Sequence, residues 1–313
     1  MFNSKNKQKS KPFSQLGTLV NLAVLLFLFS NASFSAPTAE QKALIKQSIE
    51  NMIYVPGGSF MMGDGAFTED LAGHKTQSYW LGSKKHRPAH KVTLDGYYLG
   101  KVEVTNYQYY LYTEAKKITW KNRPRHKTRA DYPVETDWKN AKGFCTWLGE
   151  LSNLPFDLPT EAQWEYAARS GGQNYLFPTD NGKLEFGRNI KLIRNDEGTD
   201  RYYTLSKVGS HPPNPMGFHE MAANVPEWMS DWYYSKYYRK SPEHNPKGPD
   251  VSPYKDKQWK SFRGTTNLNS DEATEGFMTI LRQNKLPEYE NVGIRCSIQM
   301  KEKQSKKELL NAV

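Results

Sequence analysis

The chain contains only two cysteines, Cys145 and Cys296, far apart in the sequence. Two thiols cannot build a four-thiolate zinc site or an iron–sulfur cluster held by thiolates alone. They also lack the Cys-X-X-Cys spacing that tunes a redox-active thiolate. His86 and His90 are four apart but flank Arg87-Pro88, and proline prevents the regular helix that would present both to one zinc. His90 reads instead as a structural histidine opening a strand. The densest charge lies in Lys116, Lys117, Lys121, Arg123, Arg125, Lys127 and Arg129, a stretch with Trp120 in it and no acid. Such a run suits an anionic partner (a lipid head group, a cell-wall polymer or an acidic protein face) or forms a solvated loop.

Placing any of these side chains requires a packed core, and the chain can build one. It has 313 residues, 13% of them aromatic, with a mean hydropathy of −0.80. That is too polar for a multi-span membrane protein and too aromatic for a disordered one. The excess of 43 Lys and Arg over 33 Asp and Glu is partly an N-terminal matter. Lys5, Lys7, Lys9 and Lys11 precede an apolar run from Leu19 to Phe29 and the small-residue site Ser33-Phe34-Ser35. This is the pattern of a secretory signal over residues 1–35, with cleavage expected after Ser35. A membrane anchor is disfavoured because the run is shorter than the about 20 residues that a span needs. Loss of the four lysines lowers the formal charge from +10 to +6, and the expected destination is the periplasm. No nucleic-acid-binding module is recognisable.

Local signals place several elements. Thr38 with Gln41, Thr105 with Gln108 and Thr160 with Gln163 have capping-box spacing; they predict helices to about Glu50, beyond Thr105, and through Arg169. Asp137 opens a further helix through Leu148. Ile53 to Val55 and Phe60 to Met62 read as a hairpin about Pro56-Gly57-Gly58, and Lys91 to Leu94 and Tyr97 to Leu99 as two strands around Asp95-Gly96. If helical, Trp228 and Trp232 share one face. From about 171 to 299 periodicity fades into Gly, Pro, Asn and aromatics, as in long functional loops. Residues 300–313 read as a frayed polar tail, residues 36–50 as an N-terminal helix, and 51–299 as one domain.

Six segments in order resemble the formylglycine-generating enzyme, or sulfatase-modifying factor, family. They are Ile53 to Gly63, His90 to Leu94, Glu103-Val104-Thr105-Asn106, Leu158 to Arg169, Asn224 to Trp232, and Asn291 to Arg295. The resemblance implies an α+β fold, the family's variant of the C-type-lectin-like fold, with little regular secondary structure. Family members that oxidise a client cysteine to formylglycine bind copper through two cysteines five residues apart, and soft thiolates suit Cu(I). The matching stretch here runs from Arg263-Gly264-Thr265-Thr266 to Arg282, with Asn269 and Thr274 at the cysteine positions. No copper is expected.

The same resemblance implies other sites. Cys145 and Cys296 match cysteines that form a structural disulfide in some members, which suits an exported chain. One calcium site would use the Glu220 and Glu227 carboxylates with the Ala223 and Val225 carbonyls. A second would use Asn189, the Ile190 carbonyl, Asp200 and the Tyr202 carbonyl, since Ca2+ takes hard oxygen ligands on irregular loops. Two functional readings follow. The first is a non-catalytic accessory or binding protein of the cell envelope, similar to superfamily members that assist secretion or surface assembly, gripping an envelope protein or an anionic surface. The alternative is a divergent periplasmic oxidoreductase, similar to members that help mature siderophores, with Thr266, Asn269, Thr274 and Arg282 lining its pocket and Arg282 positioning an anion.

Overall fold

The computed structural model describes Met1 and residues 36–65, 73, 84–191, 193, 194, 200, 201, 205–264 and 276–311. The segment read as a signal lies outside the described residues except for Met1. Contacts divide the chain into Met1–Ala36 and Pro37–Val313. Among the described residues no helix is long and apolar enough to cross a membrane.

The second unit opens with helix α1 (Ala39–Glu50), whose Thr38–Gln41 capping box forms as the spacing predicts. Its inner face buries Leu44, Ile45 and Ile49, each worth roughly 1.5–3 kcal/mol when withdrawn from water. Two strands follow, β1 (Met52–Val55) and β2 (Gly58–Met62). They do not pair with each other. β1 pairs antiparallel with β4 (Tyr97–Gly100), and β2 with β3 (His90–Leu94). Partners run without a slip from Met52↔Gly100 through Val55↔Tyr97 and Gly58↔Leu94 to Met62↔His90. Instead of the two expected hairpins, the chain forms two strand pairs that share one register but belong to different sheets, interrupted where Pro56-Gly57 lies opposite Asp95-Gly96. Gly57 is required at this interruption, because a Cβ there would stand 2.5 Å from the Leu94 carbonyl oxygen.

Helices α2 (Asn106–Lys116), α3 (Arg125–Thr128) and α4 (Trp138–Ser152) come next. Thr105 with Gln108 forms the second capping box, and Asp137 caps α4. Strand β5 (Phe156–Asp157) leads to α5 (Glu161–Ala168), which is buried along its whole length. A small pair, β6 (Ile193–Arg194) and β7 (Asp200–Arg201), precedes β8 (Glu227–Trp232), β9 (Lys260–Arg263), β10 (Gln283–Lys285) and β11 (Ser297–Ile298). Sheet order is β1-β4-β11-β5 in one sheet and β10-β9-β8 in another. Trp228 and Trp232 thus lie on a strand, not a helix, with a register irregularity between them. Trp228 is buried against Phe262, whereas Trp232 is partly exposed.

The last described element is α6 (Lys306–Asn311), in the segment read as a frayed tail. Leu309 is fully buried in the same core as Leu44 and Ile49. Lys306 donates to the Ile49 and Met52 carbonyls, and the Gln304 amide donates to the Tyr98 hydroxyl. One inward leucine and a lysine that reaches backbone carbonyls dock a segment whose average composition is polar. Cys145 of α4 is bonded to Cys296 beside β11, as the family likeness implies. The bond ties the helical layer to the central sheet.

Candidate functional site

The loop implied to line a catalytic pocket is only partly described. Thr266, Asn269 and Thr274 lie outside the described residues. Arg282 is seen, and it is 1% exposed. Its Nε and Nη2 donate to the Glu161 carboxylate at 2.7 and 2.9 Å, and its Nη1 to the Lys85 carbonyl at 2.8 Å. The guanidinium also lies 4.1 Å from the Tyr238 ring centre. Its donors are directed at the protein itself, so Arg282 acts as a buried structural cation rather than an anion-positioning group.

Around it lies a charge network that the sequence reading did not anticipate. Arg263 Nη2 sits 3.1 Å from both Glu161 and Glu165, and Arg169 pairs with Glu165 at 3.3 Å. Glu165 also accepts the Gly63 amide at 2.9 Å. Burial alone would raise the Glu161 carboxyl, but Arg282 and Arg263, aided by the Ser261 hydroxyl, hold it down to about 2. Asp231 behaves oppositely: burial and the charge of Glu161 push it up to about 7, although it accepts the Glu161 amide at 3.0 Å. His86 is kept neutral by burial and by Lys85, Arg282 and Arg263; its Nδ1 accepts the Arg282 amide at 3.1 Å. His90 instead lies 4.5 Å from Tyr238, ring centre to ring centre. Both glutamates belong to Leu-Pro-Thr-Glu-Ala-Gln-Trp-Glu, and their spacing of four was the available signal that they share a face.

The expected calcium ligands serve the protein's own hydrogen bonds. Glu220 adopts φ +55° and accepts the Gly209 and His211 amides at 2.8 and 2.9 Å. Glu227 takes Arg295 at 2.7 Å and the Trp164 indole N–H at 2.7 Å. Among the described residues no three His, Cys, Asp or Glu gather to hold one metal ion. One observation does fit a cation: buried Glu103 has an Oε2 with no hydrogen-bond partner among the described residues. In the second set, Asn189 braces its own loop through the Glu185 amide and the Lys183 carbonyl, and the Ile190 carbonyl accepts the Gly187 amide. The Asp200 side chain and Tyr202 lie outside the described residues.

The basic stretch is less bare than its sequence suggests. Lys116 pairs with Glu150, Lys121 with Glu290, Arg123 with Glu114 and Arg125 with Glu135. Trp120 is buried against Tyr109. Lys117, Lys127 and Arg129 are exposed, with no carboxylate partner among the described residues. Two acids that flank the stretch, Glu114 and Glu135, and two that lie farther along the chain, Glu150 and Glu290, thus offset four of the seven charges.

The comparisons agree with this architecture. The sulfatase-modifying factor enzyme 1-like domain family matches residues 37–299. The mouse formylglycine-generating enzyme is 28% identical over 255 residues, covering 64% of this chain and 63% of that enzyme. A mouse protein named inactive C-alpha-formylglycine-generating enzyme 2 is 23% identical, over 91% of this chain and 95% of its own length. Among solved structures, PvdO from Pseudomonas aeruginosa superposes with a TM-score of 0.57 at 20% identity, covering 80% of this chain and 94% of that one. The fold is accordingly the family's variant of the C-type-lectin-like fold, and the chain belongs to the sulfatase-modifying factor enzyme 1-like domain family.

Proposed function

We propose that this chain is an exported accessory or binding protein of the cell envelope that has kept the fold and lost the copper–cysteine oxidase. The observation that carries the reading is the pairing of Cys145 with Cys296. The chain has no other cysteine, so no thiolate pair is left to hold Cu(I). Export is supported by the basic-then-apolar N-terminus and by a disulfide, which oxidising compartments preserve. The partner-facing surface is the basic 116–129 stretch, directed at an anionic envelope component, with Lys117, Lys127 and Arg129 its exposed charges without a carboxylate partner among the described residues. Calcium on the 220–227 segment is part of the same reading, with the unpartnered Glu103 oxygen as its support.

The test is crosslinking in the native cell with a C-terminally tagged chain, followed by fractionation and N-terminal sequencing. The mature chain should begin at Ala36 in the envelope fraction. Replacing Lys117, Lys127 and Arg129 with glutamine should lower the crosslinked yield several-fold. An uncleaved cytoplasmic chain, or a yield indifferent to the three charges, would overturn the reading.

A further inference from the structure

A cavity of about 540 Å³ lies at the far ends of β8 and β9, lined by Trp138, Lys142, Asp157, Trp232 and Lys260 together with the 245–250 loop. Its volume is in the range of small-molecule sites. At its wall the Trp138 and Trp232 rings stand 6.4 Å apart and nearly parallel. The Lys260 ammonium lies between them, 3.8 and 3.5 Å from the two ring centres. An aromatic clamp of this kind attracts a cation, and here the cation is the protein's own.

The charges around the cavity do not balance at that point. Lys142 is paired with Asp157 at 2.7 Å and Lys301 with Asp95 at 2.7 Å, while Lys247 and Asp250 of the 245–250 loop also line the cavity, with no ion pair among the described residues. Lys260 is 3% exposed, and among the described residues its ammonium makes one hydrogen bond, to the Ser230 carbonyl at 3.2 Å. No carboxylate among the described residues pairs with it. A buried ammonium without a counter-charge is costly, and the open space beside it is where a counter-charge can enter. We propose that this cavity is a ligand site for a small organic acid, its carboxylate on the Lys260 ammonium and its ring body in the open space beside the Trp138–Lys260–Trp232 stack. The site is separate from the loop after Gly264 and does not depend on the export reading. Burial brings the Lys260 amine down to about 8; Asp231 and Asp157 oppose that shift, and Lys142 adds to it. Affinity for a carboxylate should therefore fall as pH rises past about 8.

The experiment is calorimetric titration of the mature protein with benzoate and glucuronate, using acetate and benzamide as comparators. Saturable binding of either ring acid, with acetate and benzamide at least tenfold weaker, supports the site; benzoate points to an aromatic acid and glucuronate to an acidic sugar. No saturation by either below about 10 mM, a Kd weaker than the millimolar range, overturns it. In Lys260→Met the affinity should drop at least tenfold, and an unchanged affinity in the folded variant overturns the proposal. Should that variant fail to fold, the wild-type pH profile decides. A fall of about tenfold per unit above about pH 8 supports the proposal, and a flat profile to about pH 10 overturns it.

Discussion

At the scale of residues, most of the buried charge in this protein is structural. Glu161 is held by Arg263 and Arg282, which bring three buried groups into one network. Glu161→Gln would leave Arg282 without its carboxylate and should cost about 3–5 kcal/mol, as removal of one partner from a buried ion pair does. Urea unfolding measures this directly. Asp231 gives a pH signature. Its folded carboxyl keeps a proton up to about 7, whereas the unfolded chain releases it near 3.8. The folded state therefore binds more protons between those values, and wild-type stability should decline as pH rises from about 4 to about 7. Asp231→Asn removes that contribution, so the variant should gain on the wild type across the window in melting scans. An unchanged difference between pH 5 and pH 8 would contradict the assignment. The sequence exposed the types and spacing of these residues but not their partners: Arg263 and Arg282 lie about a hundred positions from Glu161.

At the scale of elements, signals confined to a few residues were legible and long-range pairing was not. The capping boxes at Thr38, Thr105 and Thr160 form as their spacing predicts, because both halves of a box sit within one turn. Pro56-Gly57-Gly58 carries the residues of a tight turn, yet the strands on either side of it pair with β4 and β3 and not with each other. Turn chemistry fixes a local backbone path, not the partner of each strand. Trp228 and Trp232 show the same limit, since a spacing of four fits one face of a helix and equally one face of a strand. The Cys145–Cys296 bond joins α4 to the edge of β11 across 151 positions. Changing both cysteines to alanine should lower stability by about 2–5 kcal/mol, read as a fall in the denaturant midpoint. No change in the midpoint would mean that α4 is held by packing alone.

At the scale of the whole molecule, six short segments were enough to reveal the fold, and residues 37–299 match the family throughout. The expected catalytic loop was legible mainly as a departure: asparagine and threonine stand where copper would need thiolates. The cavity holding Lys260 left no such trace, because its walls come from α4, β5, β8, β9 and the 245–250 loop. All four residues of β9 are buried, so nothing in their pattern marks the lysine. The central claim is that the chain retains the family architecture without the copper–cysteine oxidase. It is tested most directly by mass spectrometry of a cysteine-bearing sulfatase peptide incubated with the protein, Cu(I) and oxygen. The peptide should return with its cysteine unconverted, and formation of formylglycine that depends on the protein would contradict the claim.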